Sequence, residues 1–271
     1  MISAVGRAME ILDALVGDAR GATVASLVSR LGIEKSVVSR VLATLEQDGY
    51  VVRDAETNTF RLGLRFVGIA LRHLDGIAIW DICVPIIRKL SESTGELVQL
   101  AIVDGDGVTY VAKAEGTQRI RALPMMGSQA VLHASTAGRV WLASLPESRV
   151  IELIARSGLP KLTPYTIDSF EKLQAELARV RVQGYSTNVE ELYESVNGVG
   201  VPIRSPGSST VIGALVVAAP AYRFGIAEME RALPAMFDVS NELGASFGGA
   251  VQWAIAREPG QAVAPGKRAP G

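Results

Sequence analysis

Val5, Ala8, Leu12, Leu15 and Val16 recur with a helical period and predict a first helix, with Gly17 and Gly21 bracketing its exit. Thr23 then stands as an N-cap before Val24, Leu27, Val28 and Leu31, whose i, i+3, i+4, i+7 spacing predicts a short second helix stopped by Gly32. Only Gly32 and Ile33 separate it from a third helix, opening near Glu34, with Val38, Val41, Leu42 and Leu45 on one face and Gly49 at its end. Residues 50–53 and 59–62 read as strands around the polar turn Asp54-Ala55-Glu56-Thr57-Asn58. Two short helices joined by a tight glycine-containing turn and followed by a hairpin predict a winged helix-turn-helix, with a small helical packing module bearing a solvated polar face as the alternative on periodicity alone.

A linker helix is expected over residues 64–76, after which the pattern changes. Ile82, Ile86, Ile87 and Leu90 predict a helix over 79–93, in which Pro85 either introduces a kink or marks the start. Two β-rich runs, 97–103 and 108–114, flank Asp104-Gly105-Asp106-Gly107, a strong hairpin signal. A further strand is expected at 120–125, helices at 134–143, 147–156 and 169–183, strands at 199–203 and 210–218, and a closing helix over 227–256. A mostly antiparallel sheet flanked by helices is an α+β arrangement able to cup a small ligand. The expected domains are 1–63, 77–256 and, between them, the linker helix. Residues 257–271 hold three Pro and three Gly without hydrophobic periodicity and read as a disordered tail.

The outer face of the third helix carries Lys35, Ser36, Ser39, Arg40 and Thr44, which are cationic or hydroxylated. A guanidinium is suited to guanine edges in the major groove, and short hydroxyls to phosphates or base edges. Together with Thr57 and Asn58 at the wing tip, these are the candidate contacts to double-stranded DNA. Net charge does not add to this reading. The chain carries 27 Lys+Arg against 28 Asp+Glu, a formal −1. Within residues 1–65 the cations Arg7, Arg20, Arg30, Lys35, Arg40, Arg53, Arg61 and Arg65 are matched by equally many carboxylates. Steering toward DNA must come from local placement.

Other chemistry finds little support. A single cysteine, Cys83, and two histidines offer no metal-site spacing, and no residue set calls for a cofactor. The longest apolar run, 211–221, is far short of the ~20 residues of a membrane span. The N-terminal residues have no secretory pattern, so a soluble, cytoplasmic protein is expected. His133 with Ser135 raises nucleophilic catalysis, but no Gly-x-Ser-x-Gly elbow or triad spacing accompanies them, and no catalytic residue is assigned. Cys83, Trp80, Trp141 and Trp253 sit in apolar helical patterns and read as core or interface residues.

The stretch Leu31-Gly32-Ile33-Glu34-Lys35-Ser36-Val37-Val38-Ser39-Arg40-Val41-Leu42-Ala43-Thr44-Leu45, followed by Asp48-Gly49-Tyr50-Val51 and by Phe60-Arg61-Leu62-Gly63, resembles the IclR family of bacterial transcription regulators. So do Leu132-His133-Ala134-Ser135-Thr136-Ala137-Gly138-Arg139 and, later, Gly184-Tyr185-Ser186 with Glu190-Glu191 and Pro202. The chain departs from the family at Arg139, where Lys is usual, and at Asn188 and Gly198.

This resemblance implies a GAF-like effector domain behind the winged helix, homodimers that often pair into tetramers, and repression of a catabolic operon. It places the effector site at Arg119, Ala122, Ala130, Thr136, Ala137, Asn188, Val196, Gly198, Val216 and Ala218. Because most of these are small or apolar, a larger, partly apolar organic acid is expected, with an aromatic acid as the leading class. Its carboxylate would meet the helix N-terminus after Ser135, with Thr136 adding a hydroxyl. Arg119 would supply a counter-charge if it points inward, although an outward side chain on an edge strand is the favoured reading. A GAF-like module that only mediates oligomerisation is the alternative.

Overall fold

The computed structural model describes residues 3–16, 18, 20–75, 79–118 and 126–247. The expected strand at 120–125, the end of the closing helix and the tail lie outside them. The chain divides into two compact units, residues 1–77 and 78–271.

The first unit contains α1 (Ser3–Val16), α2 (Val24–Leu31), α3 (Lys35–Gln47), the strand pair β1 (Val51–Arg53) and β2 (Phe60–Leu62), and α4 (Arg65–Asp75). Local signals set α2: Thr23 Oγ1 accepts the Ser26 N–H at 3.2 Å, and Gly32 closes the helix in the left-handed region at φ 64°. Ile11, Leu12, Leu15, Leu27, Val38, Leu42, Val51 and Phe60 form its core. The buried face of α1 is displaced from the expected stripe. Ile11 and Ala14 are buried, whereas Val5 and Val16 are 54% and 57% exposed. This helix is apolar on two flanks, Met9 included, and packing against α3 and β2 selects one of them.

Gly63 ends the wing where backbone meets backbone. Its N–H donates to the Tyr50 carbonyl at 2.8 Å, and a Cβ there would stand 2.2 Å from the Gly49 oxygen. Helix α4 then packs Phe66 edge-on against Tyr50, with ring centres 5.0 Å apart.

The second unit is built on a five-stranded antiparallel sheet in the order β4-β3-β7-β6-β5, with β3 (Leu97–Asp104), β4 (Gly107–Ala114), β5 (Ser186–Val189), β6 (Val196–Arg204) and β7 (Val211–Pro220). Nearly every residue of β7 is buried, so both faces are covered. Helix α6 (Thr136–Ser144), backed by α7 (Glu147–Ser157) and α8 (Phe170–Gln183), packs on the face that carries Ala101, Ala214 and Val216. The long helix α9 (Ile226–Ser246) runs along β6 and against α5 (Ile79–Thr94). Pro85 stands inside α5 without ending it. This is the expected α+β, GAF-like arrangement, with β5 as an edge strand that the hydrophobic pattern did not predict.

Two glycines let α6 sit low on the sheet. A Cβ on Gly200 would come within 2.8 Å of the Thr136 Cβ, and one on Gly138 within 2.5 Å of the Leu132 backbone. Because backbone cannot yield as a side chain tip can, Gly138→Ala is expected to cost about 1–3 kcal/mol of overpacking. A thermal melt should show a midpoint lowered by several degrees; an unchanged midpoint would mean that this loop is free to shift.

Candidate nucleic-acid interface and effector cavity

On α3 the residues opposite Val38 and Leu42 face outward. Lys35, Ser36, Ser39, Arg40 and Thr44 are all exposed. Arg40 Nε donates to the Ser36 carbonyl at 3.3 Å, and among the described residues no carboxylate pairs with it. Pairing with Glu46 or Asp48 inside the domain is therefore absent, and most of the guanidinium's donors are open. The Thr44 hydroxyl instead donates back to the Arg40 carbonyl at 3.1 Å. Lys35 and Ser36 stand in the first turn, where the helix dipole favours an approaching anion.

The wing is tied internally. Asp54 Oδ1 accepts the N–H groups of Glu56 and Thr57, each at 3.0 Å, and Oδ2 accepts from Arg61 at 3.1 Å. The Thr57 contacts hold the Asp54 carboxyl below its ordinary range. Asn58 adopts φ 53°, and its Oδ1 accepts from Arg53 at 2.6 Å, while the Thr57 and Thr59 hydroxyls share a bond of 2.8 Å. Thr57 and Asn58 thus shape the tip with their own polar atoms and leave Arg53 and Arg61 as the exposed cations beside it.

In the second unit a cavity lies between the sheet and the start of α6. Thr136, Asn188, Val196, Gly198, Val216 and Ala218 line it, together with Gln99, Tyr110, Ser135, Leu192, Tyr193 and Asn197. Ala130 and Ala137 lie in the core beneath α6 and not on this wall, and Arg119 and Ala122 lie outside the described residues. No charged side chain lines the cavity among the described residues. Its volume is about 30 Å³, well below the roughly 300–1,000 Å³ of pockets that enclose drug-sized ligands.

Most polar groups around it are engaged in shaping it. Ser135 caps α6, its Oγ accepting the Gly138 N–H at 3.0 Å. Asn188 donates from Nδ2 to the Ala134 carbonyl and accepts the Glu191 N–H at 3.2 Å, so it ties the α6 entry loop to the segment carrying Leu192 and Tyr193. Burial pushes the Tyr110 phenol up to about 12, so it enters the site as a neutral group. His133 bonds the Pro160 carbonyl through Nε2 at 3.1 Å, and burial pushes its imidazole below the ordinary value. His133 and Ser135 each answer to backbone and do not face each other as nucleophile and base.

Behind the cavity, Arg139 is fully buried. It donates from Nε to the His133 carbonyl at 2.6 Å and from Nη1 to the Thr187 carbonyl at 3.1 Å and Glu191 Oε1 at 3.0 Å, and its Nη2 also bonds Glu191. The segment after β5 is held further by Thr163 and Thr166, whose hydroxyls donate to the Glu190 and Glu191 carbonyls at 2.7 and 2.6 Å.

Sequence reasoning missed Gln99, Tyr110 and the Leu192–Tyr193 pair. For Gln99 a signal existed: it is the one polar residue in the otherwise apolar run 97–103.

Residues 4–55 match the IclR helix-turn-helix domain, and residues 71–244 match the C-terminal domain of the bacterial transcriptional regulator IclR. The HTH-type transcriptional regulator BhcR of Paracoccus denitrificans is 30% identical over 249 residues, spanning 91% of this chain and 87% of its own. An IclR transcriptional regulator from Alicyclobacillus acidocaldarius shares the fold with a TM-score of 0.78 at 25% identity, covering 92% of this chain and all of its own. An IclR homologue from Microbacterium hydrocarbonoxydans, solved in complex with 4-hydroxybenzoate, has a TM-score of 0.73 at 24% identity over 89% of this chain and 99% of its own.

Proposed function

This chain belongs to the IclR family of bacterial transcriptional regulators, and on that premise we propose that it is a cytoplasmic repressor of a catabolic operon whose grip on operator DNA is set by a small organic acid. The open face of α3, with Arg40 free of any carboxylate among the described residues, carries the reading. Lys35, Ser36 and Ser39 accompany Arg40 at the base edges and phosphates, and the wing, shaped by Thr57 and Asn58, lies along the backbone. The chain catalyses no reaction in this reading.

One recognition helix reads only a few base pairs, and a first unit with balanced charge gains little from general attraction to phosphate. Specific affinity then comes from two copies on a palindrome, with half-sites about 34 Å apart or at a multiple of that spacing, in a homodimer or a dimer of dimers. The effector occupies the cavity beside α6, lined by Thr136, Asn188, Val196, Gly198, Val216 and Ala218. Its uncharged, largely apolar wall suits an aromatic monocarboxylate held by N–H groups at the α6 N-terminus. The 4-hydroxybenzoate complex of a protein with this fold is consistent with that class.

The test is fluorescence anisotropy with the full chain and DNA from beside its own gene. A two-half-site operator is expected to bind at least a hundredfold more tightly than the same DNA with one half-site scrambled, and an effector to change that affinity by roughly five- to 150-fold. Equal binding to both DNAs refutes dimeric readout. A ligand-free oligomerisation module is the alternative favoured by the small volume of the cavity; in that case no organic acid would raise the melting midpoint.

A further inference from the structure

We infer that Gln99 selects the effector, and that the effector is a hydroxy-substituted carboxylic acid whose hydroxyl meets the Gln99 amide. The inference rests on the cavity beside α6 being the effector site.

Gln99 lies on β3 with only 2% of its surface exposed, yet its side chain makes no hydrogen bond among the described residues, and its Nε2 is fully buried without a partner. The sheet register explains why. Gln99 pairs with Val216 of β7, which pairs in turn with Gly200 of β6, and neither offers a side-chain polar atom. On its other side Gln99 pairs with Lys113, whose Nζ is held by Glu115 at 2.7 Å. A buried amide left in this state destabilises the fold, so its retention calls for a partner that arrives from outside.

The other polar groups at the wall do not substitute for it. Ser135 and Asn188 are engaged with backbone, as described above. Asn197 pairs with Ala219, one step out of phase with Val216 and Ala218, which puts its side chain on the opposite face of the sheet, where Nδ2 holds the Phe224 carbonyl at 2.8 Å and Oδ1, though buried without a partner, is turned away from the α6 side. Gln99 is therefore the free amide at this cavity, with one donor end and one acceptor end. A carboxylate would also satisfy the buried Nε2 donor, but it is placed at the α6 N-terminus, and a hydrocarbon ring edge answers to neither end. A hydroxyl is the smallest group that both accepts and donates. With the carboxylate at the α6 N-terminus, the hydroxyl would reach the sheet floor at Gln99 beside the neutral Tyr110 phenol.

The experiment is calorimetry on the full chain with two ligand pairs, 4-hydroxybenzoate against benzoate and 3-hydroxybutyrate against butyrate, together with ligand-free thermal melts of wild type and Gln99→Leu. Wild type is expected to bind the hydroxylated member of at least one pair tenfold or more tightly than its deoxy partner. In Gln99→Leu that ratio should fall below threefold with the deoxy acid bound at least as well as before. The ligand-free midpoint of Gln99→Leu should not fall, because the variant removes a stranded amide. Binding of these acids with equal wild-type affinity for the two members in both pairs leaves the effector site standing and overturns the role of Gln99. A preference that survives in Gln99→Leu, or a lowered ligand-free midpoint, overturns it as well. Failure of all four acids to bind wild type overturns both the hydroxy-acid class and the effector reading beneath it.

Discussion

Arg40→Ala is expected to weaken operator binding at least tenfold while moving the melting midpoint by no more than about 1 °C. A guanidinium bound bidentately to guanine O6 and N7 contributes about 1–3 kcal/mol of discrimination, and a symmetric dimer loses it at both half-sites. Nothing in the fold opposes the change, because the side chain's one hydrogen bond is a 3.3 Å contact to the Ser36 carbonyl on its own helix and the residue is exposed. The loss should be largest on the cognate sequence. Lys35→Ala, in contrast, should weaken binding more evenly across sequences and reduce the salt dependence, as expected of a phosphate contact. Anisotropy on cognate and scrambled DNA, with a parallel melt, reads both quantities. A collapsed melting transition in Arg40→Ala would make the residue structural.

The first unit was legible because its signals are local. Thr23, Gly32 and the i, i+3, i+4, i+7 sets lie within a few residues of what they control, and the open face of α3 is the complement of its apolar face. The stripe of α1 was misjudged at its ends, since an amphipathic pattern with two apolar flanks does not reveal which flank meets a neighbour. The cavity was harder to read. Resemblance supplied positions on β6, β7 and α6, but Gln99 becomes informative only once the register sets Val216 beside it. Strand β5 is four residues long and polar, and pairs only on one side, so no alternation announced it. The segment carrying Leu192 and Tyr193 turns at Glu190 and Ser195 with φ 57° and 61°, and non-glycine residues in that region give no warning in a sequence. Arg139 was visible as a departure from Lys. Its partners Thr187 and Glu191 stand 48 and 52 residues downstream, a distance that pattern reasoning does not cross.

That buried guanidinium makes Glu191 the position with the largest expected effect on stability. Glu191 accepts from both terminal nitrogens of Arg139, and the next carboxylate, Glu176, stands 3.7 Å away. Removing Glu191 leaves the buried guanidinium with only this longer carboxylate contact to Glu176, and breaking a buried pair in this way costs about 3–5 kcal/mol. Glu191→Gln retains the shape and one acceptor oxygen, so it should fall at the lower end of that range, and Glu191→Ala at the upper end. Arg139→Lys keeps the positive charge but loses the planar fork that reaches His133, Thr187 and Glu191 together, and should be intermediate. The double variant Arg139→Met/Glu191→Leu should recover most of the loss, because the desolvation of two charges disappears with them. Urea unfolding of the four variants measures these differences, and a cost below about 1 kcal/mol for Glu191→Ala would refute the pair as the anchor of this segment. Ligand affinity provides a second measure. The Glu191 backbone is still held by Asn188 and Thr166, so in Glu191→Gln the segment should remain folded but loosened, and effector affinity should fall along with stability. In the double variant stability should return, while affinity recovers only as far as packing alone can place Leu192 and Tyr193.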